Sequence, residues 1–318
     1  MRKSRNKKGI KALLYSLIIV FGLVSCAGNP YAKTNRIYKK KTKIYSKQLK
    51  QLPAQENQNE SALHYGEYWV GTTNFNLRKP NYVVLHHTAQ DSVGQTLYTF
   101  TLPRTQVSSH YVIGKKGEIY HMLNDFYRAW HGGIGKWGSN TDLNSSSLGI
   151  EIDNNGKEEF TDAQINSLLD LLEILKEKYK IPAKNFIGHS DIAPSRKVDP
   201  NKYFPWEKLA EEGYGLWYDN AEVEKLKLET EFFTPNPLVI NLQSTINTRI
   251  PFLDKLVFPE VIPADFNIEN ALKIVGYDTS NLTAAKSAFK LHFIQENLEQ
   301  AFSAYDIKVL YLLYKKYL

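Results

Sequence analysis

Four consecutive apolar residues, Tyr82-Val83-Val84-Leu85, run directly into the pair His86-His87. Two of the four are β-branched, so the run reads as a buried strand that delivers polar groups to its carboxyl end. The arrangement recurs along the chain. In Leu148-Gly149-Ile150-Glu151-Ile152-Asp153 the aliphatics alternate with Gly, Glu and Asp, which puts one face of a strand into the core and turns Glu151 and Asp153 to the other. Asn185-Phe186-Ile187-Gly188-His189 reads as a further short strand, again ending in a histidine. Tyr111-Val112-Ile113 and Glu118-Ile119-Tyr120 flank Gly114-Lys115-Lys116-Gly117, a hairpin signal. Between these runs, Thr161-Asp162-Ala163-Gln164 has the pattern of a capping box, and Ile165, Leu168, Leu169, Leu172, Leu175 and Tyr179 follow at helical spacing. Alternating strand and helix signals over residues 65–220 predict an α/β fold, a mixed central sheet flanked by helices.

The remainder of the chain is patterned differently. Residues 221–263 carry prolines at positions 235, 237, 251, 259 and 263 and read as a linker with some helix. Three helical patterns follow, Asn267 to Val275, Thr283 to Gln295 and Ala304 to Tyr317, so residues 264–318 are expected to form a small three-helix domain. A length of 318 residues, 42% of them hydrophobic, is enough for two modest domains with real cores.

The amino end opens with Arg2, Lys3, Arg5, Lys7, Lys8 and Lys11, then mostly apolar residues from Ala12 to Val24. As a helix that core rises about 20 Å, short of the ~30 Å hydrocarbon layer, so residues 1–25 read as a signal peptide rather than a span. Leu23-Val24-Ser25-Cys26 resembles the lipobox of bacterial lipoproteins, and the sole cysteine of the chain stands in it. That resemblance implies a lipid on Cys26 and a place on a membrane facing the periplasm, held by acyl chains at ~0.8 kcal/mol per buried methylene. Without the six cations of the signal segment the net charge falls from +7 to +1, and no nucleic-acid partner is indicated. Residues 26–64 hold a basic run from Lys33 through Arg36, Lys39, Lys40, Lys41, Lys43 and Lys47 to Lys50. It reads as a solvated polar tether that could also lean on anionic lipid or wall.

The candidate chemistry lies at the strand ends. His86 and His189, with Asp199 ten residues after the second, could make a three-ligand site that leaves a fourth tetrahedral position open, as a catalytic zinc requires. Such an ion can bring water to a pKa of about 7 and polarise a carbonyl oxygen. By spacing alone the signal is weak, because two distant histidines are more often core or surface residues than ligands.

A longer pattern adds to it. Gly188-His189-Ser190-Asp191-Ile192-Ala193-Pro194-Ser195-Arg196-Lys197-Val198-Asp199-Pro200 resembles the ligand loop of the amidase-2 family of N-acetylmuramoyl-L-alanine amidases, which is related to peptidoglycan recognition proteins. The same family shows counterparts of Val83-Val84-Leu85-His86-His87-Thr88-Ala89, Ser108-Ser109-His110-Tyr111, Ala129-Trp130-His131-Gly132-Gly133 and Ser147-Leu148-Gly149-Ile150-Glu151-Ile152, in this order. The resemblance implies one catalytic Zn2+ on His86, His189 and Asp199, with His86 rather than His87 as the ligand. It places Glu151 as the general base that takes a proton from water and returns it to the leaving amine, and Lys197 as the support of the oxyanion. Arg196, His110, Trp130 and His131 are candidates for holding substrate, Arg196 because a guanidinium suits the carboxylates of a stem peptide. His64, His121 and His292 are given no role.

Pro205-Trp206-Glu207-Lys208-Leu209-Ala210 and Gly215-Leu216-Trp217 look like the end of the amidase domain in the AmiD-like, outer-membrane lipoprotein branch of the family. Residues Ala271 to Asp278 and Phe289 to Phe293 are similar to the peptidoglycan-binding type of helical module, which would bind wall or brace the catalytic domain. The expected partners are therefore peptidoglycan or muropeptides, and the expected place is the bacterial cell envelope, on the periplasmic side of the outer membrane. The rival from another class is a lipoprotein that binds muropeptides without cutting them.

Overall fold

A computed structural model of the chain describes residues 29–50, 77, 79–228 and 260–318, in two compact units, Met1–Phe75 and Asn76–Leu318. The signal segment, Cys26, the expected onset of structure near Tyr65 and most of the proline-bearing stretch lie outside the described residues. Among the described residues, no helix is long and apolar enough to cross a membrane.

In the first unit the basic run is a helix, Ala32–Gln48, with no buried residue. Its lysines are exposed, and the described part of the expected tether is largely helical. The segment contains neither glycine nor proline and is rich in lysine, a good helix former, so nothing local opposes the helix.

The second unit is built on a five-stranded sheet: β1 (Tyr82–His87), β2 (Tyr111–Ile113), β3 (Ile119–His121), β4 (Ser147–Ile152) and β5 (Phe186–Gly188), in the order β3-β2-β4-β1-β5. Strands β2, β4, β1 and β5 are parallel, and β3 closes the edge as the antiparallel arm of the hairpin with β2. The mixed α/β sheet predicted from the strand signals is thus the observed one.

Both faces are covered. Val83 and Leu85 of β1, with Leu148, Ile150 and Ile152 of β4, pack against Ile165, Leu168, Leu172 and Leu175 of the helix Asp162–Tyr179. That helix starts where the capping box predicts, with the Thr161 hydroxyl accepting from Gln164 N–H and the Gln164 side chain returning to Thr161 N–H. Side chains alternate across a strand, so Val84 and Ile187 face the opposite layer. There they share a core with Leu272, Phe289, Phe293 and Leu310 from the helices Ile268–Val275, Leu282–Phe293 and Ala304–Tyr317. The three C-terminal helices therefore form a layer of the same body. The ends of the expected linker are also packed: Val223 on the short helix Asn220–Lys225 is buried, and Lys227–Leu228 pairs in parallel with Val261–Ile262.

Candidate metal centre

Parallel pairing brings the carboxyl ends of β1, β4 and β5 to one edge of the sheet, the usual place for a site in an open α/β sheet. His86 stands in register with Glu151, and Leu85 with Gly188, so His189 emerges beside His86. His189 opens a single helical turn, His189–Ile192, and the chain then loops back until Ser190 N–H donates to the Asp199 carbonyl at 2.8 Å. The result is a tight triangle: His86 Nδ1 to His189 Nδ1, 2.9 Å; His86 Nδ1 to Asp199 Oδ2, 3.1 Å; His189 Nδ1 to Asp199 Oδ2, 3.0 Å. All three residues are buried.

The surrounding hydrogen bonds decide which nitrogens carry protons. The Gly132 carbonyl can only accept, so His189 Nε2 donates to it at 3.1 Å and leaves Nδ1 as a lone pair. For His86 the same result comes through a relay. The Ser147 hydroxyl donates to the Leu143 carbonyl, so Ser147 Oγ accepts from His131 Nε2 at 3.1 Å. His131 Nδ1 then accepts from His86 Nε2 at 3.1 Å, which frees His86 Nδ1. Three lone-pair atoms, two neutral nitrogens and a carboxylate oxygen, therefore converge with no proton between them.

Charge follows the same pattern. Burial, with the neighbouring His189, holds the His86 imidazole down to about 4, and burial keeps His131 well below its ordinary value. Burial pushes against ionisation of Asp199, but the adjoining His189 and His86 rings prevail and hold its carboxyl far below the usual range. Glu151 is pushed the other way, up to about 8, by burial first and then by the Asp199 charge, with Lys197 opposing. Its Oε2 is buried and has no hydrogen-bond partner among the described residues. A carboxyl poised near neutrality beside a cluster of donors is suited to move protons.

The other residues singled out from the sequence divide into two groups. Lys197 is half-buried on the ligand loop, and its charge bears on Glu151, His86 and His87. Trp130 is anchored through its backbone to Ser108 while half of its surface stays open. Arg196 is exposed, and its Nη2 donates to the Gly132 and Ile134 carbonyls at 2.8 and 2.6 Å, tying the ligand loop to the Ala129–Gly133 loop. His131 and His110 are buried and spend both ring nitrogens on protein groups. His131 forms the relay just described, and His110 accepts from Gly149 N–H at 3.0 Å and donates to the Tyr127 carbonyl at 2.9 Å. His87 is buried beside the ligands, with Nδ1 unpartnered among the described residues.

The donor set fits zinc. Two imidazoles and a carboxylate with Zn–N and Zn–O bonds of about 2.0–2.1 Å give a tetrahedral edge of about 3.3 Å, close to the triangle observed. His86, His189 and Asp199 are the one group of three such side chains that meet in this way among the described residues.

A family model described as N-acetylmuramoyl-L-alanine amidase matches residues 76–202, which include β1 to β5 and every atom of the triangle. Over these residues the chain is similar to the amidase-2 family. The chain is 37% identical over 157 residues to the N-acetylmuramoyl-L-alanine amidase AmiD of Escherichia coli (strain K12), covering 44% of this chain and 56% of that protein. The aligned segments span between 55% and 65% of the length of the curated relatives they match. In structure the chain is similar to AmpDH3 from Pseudomonas aeruginosa, with a TM-score of 0.60 and 27% identity, over 81% of this chain and 99% of that one. It is also similar to Escherichia coli AmiD, solved in complex with the substrate anhydro-N-acetylmuramic acid-L-Ala-D-gamma-Glu-L-Lys, with a TM-score of 0.58 and 26% identity, over 78% of this chain and 93% of that one. Both likenesses extend beyond residues 76–202.

Three residues in contact with the site's loops escaped the sequence reading. Ser147 stands at the head of the strand block that contains Glu151, where only its bond to Leu143 reveals it as the start of the relay. Asn144 Oδ1 accepts from His131 N–H and Gly132 N–H at 3.1 and 2.8 Å and so sets the loop that bonds both candidate ligand histidines. His292, given no role, reaches the ligand turn: its Nδ1 lies 2.7 Å from Asp191 Oδ2. No local pattern marks these three.

Proposed function

We propose that this protein hydrolyses the amide bond between N-acetylmuramic acid, or its anhydro form, and L-alanine of the peptidoglycan stem peptide, with one zinc ion held by His86, His189 and Asp199. The observation that carries the reading is the convergence of three proton-free donor atoms beside the Glu151 carboxyl, whose Oε2 has no hydrogen-bond partner among the described residues. The likeness to AmiD, solved with an anhydromuramyl peptide, supports the substrate class.

When bound, zinc supplies Lewis acidity toward the amide carbonyl and the attacking water. The chain's own residues do the rest. Glu151, whose carboxylate faces the donor cluster across β1 and β4, takes a proton from the attacking water and passes it to the departing amine. The Lys197 ammonium offsets the negative charge that develops on the carbonyl oxygen. His131 and Ser147 hold His86 in its ligating tautomer, and Trp130 and Arg196 are the exposed groups nearby in sequence that are free to meet a substrate.

We also propose that Cys26 carries a lipid and that the protein sits at the periplasmic face of the outer membrane. The charged head, short apolar core and Leu23-Val24-Ser25-Cys26 support this. Labelling with a radioactive fatty acid should mark the wild type and not Cys26→Ala.

The test of the enzyme is a mass spectrum of products after the purified protein is incubated with anhydromuropeptides. Free peptide beginning with L-alanine, lost on chelation and restored by zinc, is the expected result. Substrate that stays bound but uncut would replace the enzyme with a muropeptide-binding lipoprotein.

A further inference from the structure

The ligand His189 does not rest on the sheet alone. It belongs to one turn of helix, His189–Ile192, and a single turn has little intrinsic stability. What holds the turn is Asp191, fully buried, whose two oxygens receive three donors. Gly188 N–H donates to Oδ2 at 2.7 Å, which closes the turn on itself. The other two come from the C-terminal layer: Tyr277 Oη donates to Oδ1 at 2.7 Å, and His292 Nδ1 lies 2.7 Å from Oδ2.

Both partners are themselves fixed. The His292 ring stacks on Trp206 with centroids 3.8 Å apart and an interplanar angle of 16°. Tyr277 meets Trp137 edge to face at 5.0 Å, and the adjacent Gly138 N–H donates to the Gly276 carbonyl at 2.7 Å. Gly276 has φ +133°, and a Cβ there would press into the Trp137 ring, so the helix end and the loop touch backbone to ring. From the other side Lys136 N–H donates to the Ile192 carbonyl at 2.7 Å. The ligand turn is thus gripped between this loop and the C-terminal helices.

We propose that Tyr277 and His292 are positioning residues for the metal ligand His189, acting through Asp191, so that docking of the C-terminal helices and metal binding are coupled. This rests on the zinc site proposed above. The module then has a role besides any contact with cell wall: it completes the metal centre. Groups that orient ligands from outside the coordination sphere typically change metal affinity by about 10–100-fold. Coupling of this kind is reciprocal, so metal should in turn tighten the helices against the sheet.

The experiment compares the full-length wild type with His292→Ala, His292→Asn, Tyr277→Phe and a control, Leu310→Ala, which opens the same core without touching Asp191. Zinc affinity is read by competition with a chromophoric chelator, at a temperature where circular dichroism shows each variant folded, and ligand geometry by the visible spectrum of the cobalt-loaded protein. His292→Ala and Tyr277→Phe should bind zinc about 10–100-fold more weakly, with an altered cobalt spectrum. His292→Asn, which keeps a nitrogen donor near the place of Nδ1, should recover most of the loss, and Leu310→Ala, which leaves both contacts to Asp191 in place, should lose far less affinity and keep the wild-type spectrum. If the Asp191-contacting variants bind metal like the wild type, or Leu310→Ala weakens it equally, the coupling is overturned. A wild type that binds no metal at all would instead overturn the zinc site itself.

Discussion

His86 Nε2 and His131 Nδ1 lie 3.1 Å apart, and this contact holds the proton on Nε2 and leaves His86 Nδ1 as a lone pair in the candidate metal site. Removing the acceptor should release that tautomer. His131→Ala is expected to weaken zinc binding by about 10–100-fold, and Ser147→Ala, one step further out, by less. Competition titration against a chelator checks both, and equal effects would mean the relay does not act in sequence.

Gly149 is where the same histidine meets the sheet. A Cβ at this position would overlap the His131 ring, and β4 is held by pairing on both sides, so the backbone cannot yield. Gly149→Ala should therefore displace His131, weaken zinc binding at least as much as His131→Ala, and cost about 1–3 kcal/mol in a urea titration.

Glu151→Gln separates chemistry from metal binding. Turnover of an anhydromuropeptide should fall by about 10²–10⁴-fold while zinc affinity stays near that of the wild type. Because a buried carboxyl oxygen without a partner opposes folding, the metal-free variant should also melt at a higher temperature than the metal-free wild type. Calorimetry of the two proteins after chelation decides this.

Lys197→Ala should lower kcat by about 10²–10³-fold with a smaller change in zinc affinity, since its charge bears on the reacting centre without joining the ligand triangle. A variant that loses metal and turnover in proportion would make Lys197 a support of the ligand loop instead.

Away from the site, Asp125 joins the hairpin to the helix Asp162–Tyr179. Its carboxylate accepts from Tyr111 Oη at 2.6 Å, Tyr179 Oη at 2.5 Å and Lys178 Nζ at 3.0 Å. Burial acts to raise its pKa, but these three donors prevail and hold it below the ordinary value of 3.8. A depressed carboxyl gives stability that is present above the unfolded pKa and lost as pH falls through the folded one. Asp125→Asn should thus cost about 1–3 kcal/mol in urea at pH 7, and the gap to the wild type should narrow below about pH 4.

The elements of this protein are legible wherever the cause is local. Thr161 and Gln164 lie within one turn of each other, so the start of the long helix is written in four residues. Val83 and Leu85 alternate with Val84, so the strand carries its own signature, and the three C-terminal helices are visible from spacing alone. The basic run was legible as solvated but not as helical, because exposed lysines suit either state.

The site was legible in its motifs and not in its assembly. His86, His189, Asp199 and Glu151 can be named from a resemblance spanning residues 82 to 200, whereas the roles of His110 and His131 depend on which way each ring turns. Candidates for substrate contact by composition, both are saturated by protein groups in the fold.

The sequence by itself determined the strands, the helices and the residue types capable of holding a metal, since those depend on neighbours a few positions apart. Only the tertiary structure decided that β1 lies between β4 and β5, which places His86 beside Glu151 and His189. It alone decided that His292, 101 residues from Asp191, closes over the ligand turn. Strand order, register and the packing of one layer on another are properties of contacts between distant segments, and no local pattern of side chains encodes them.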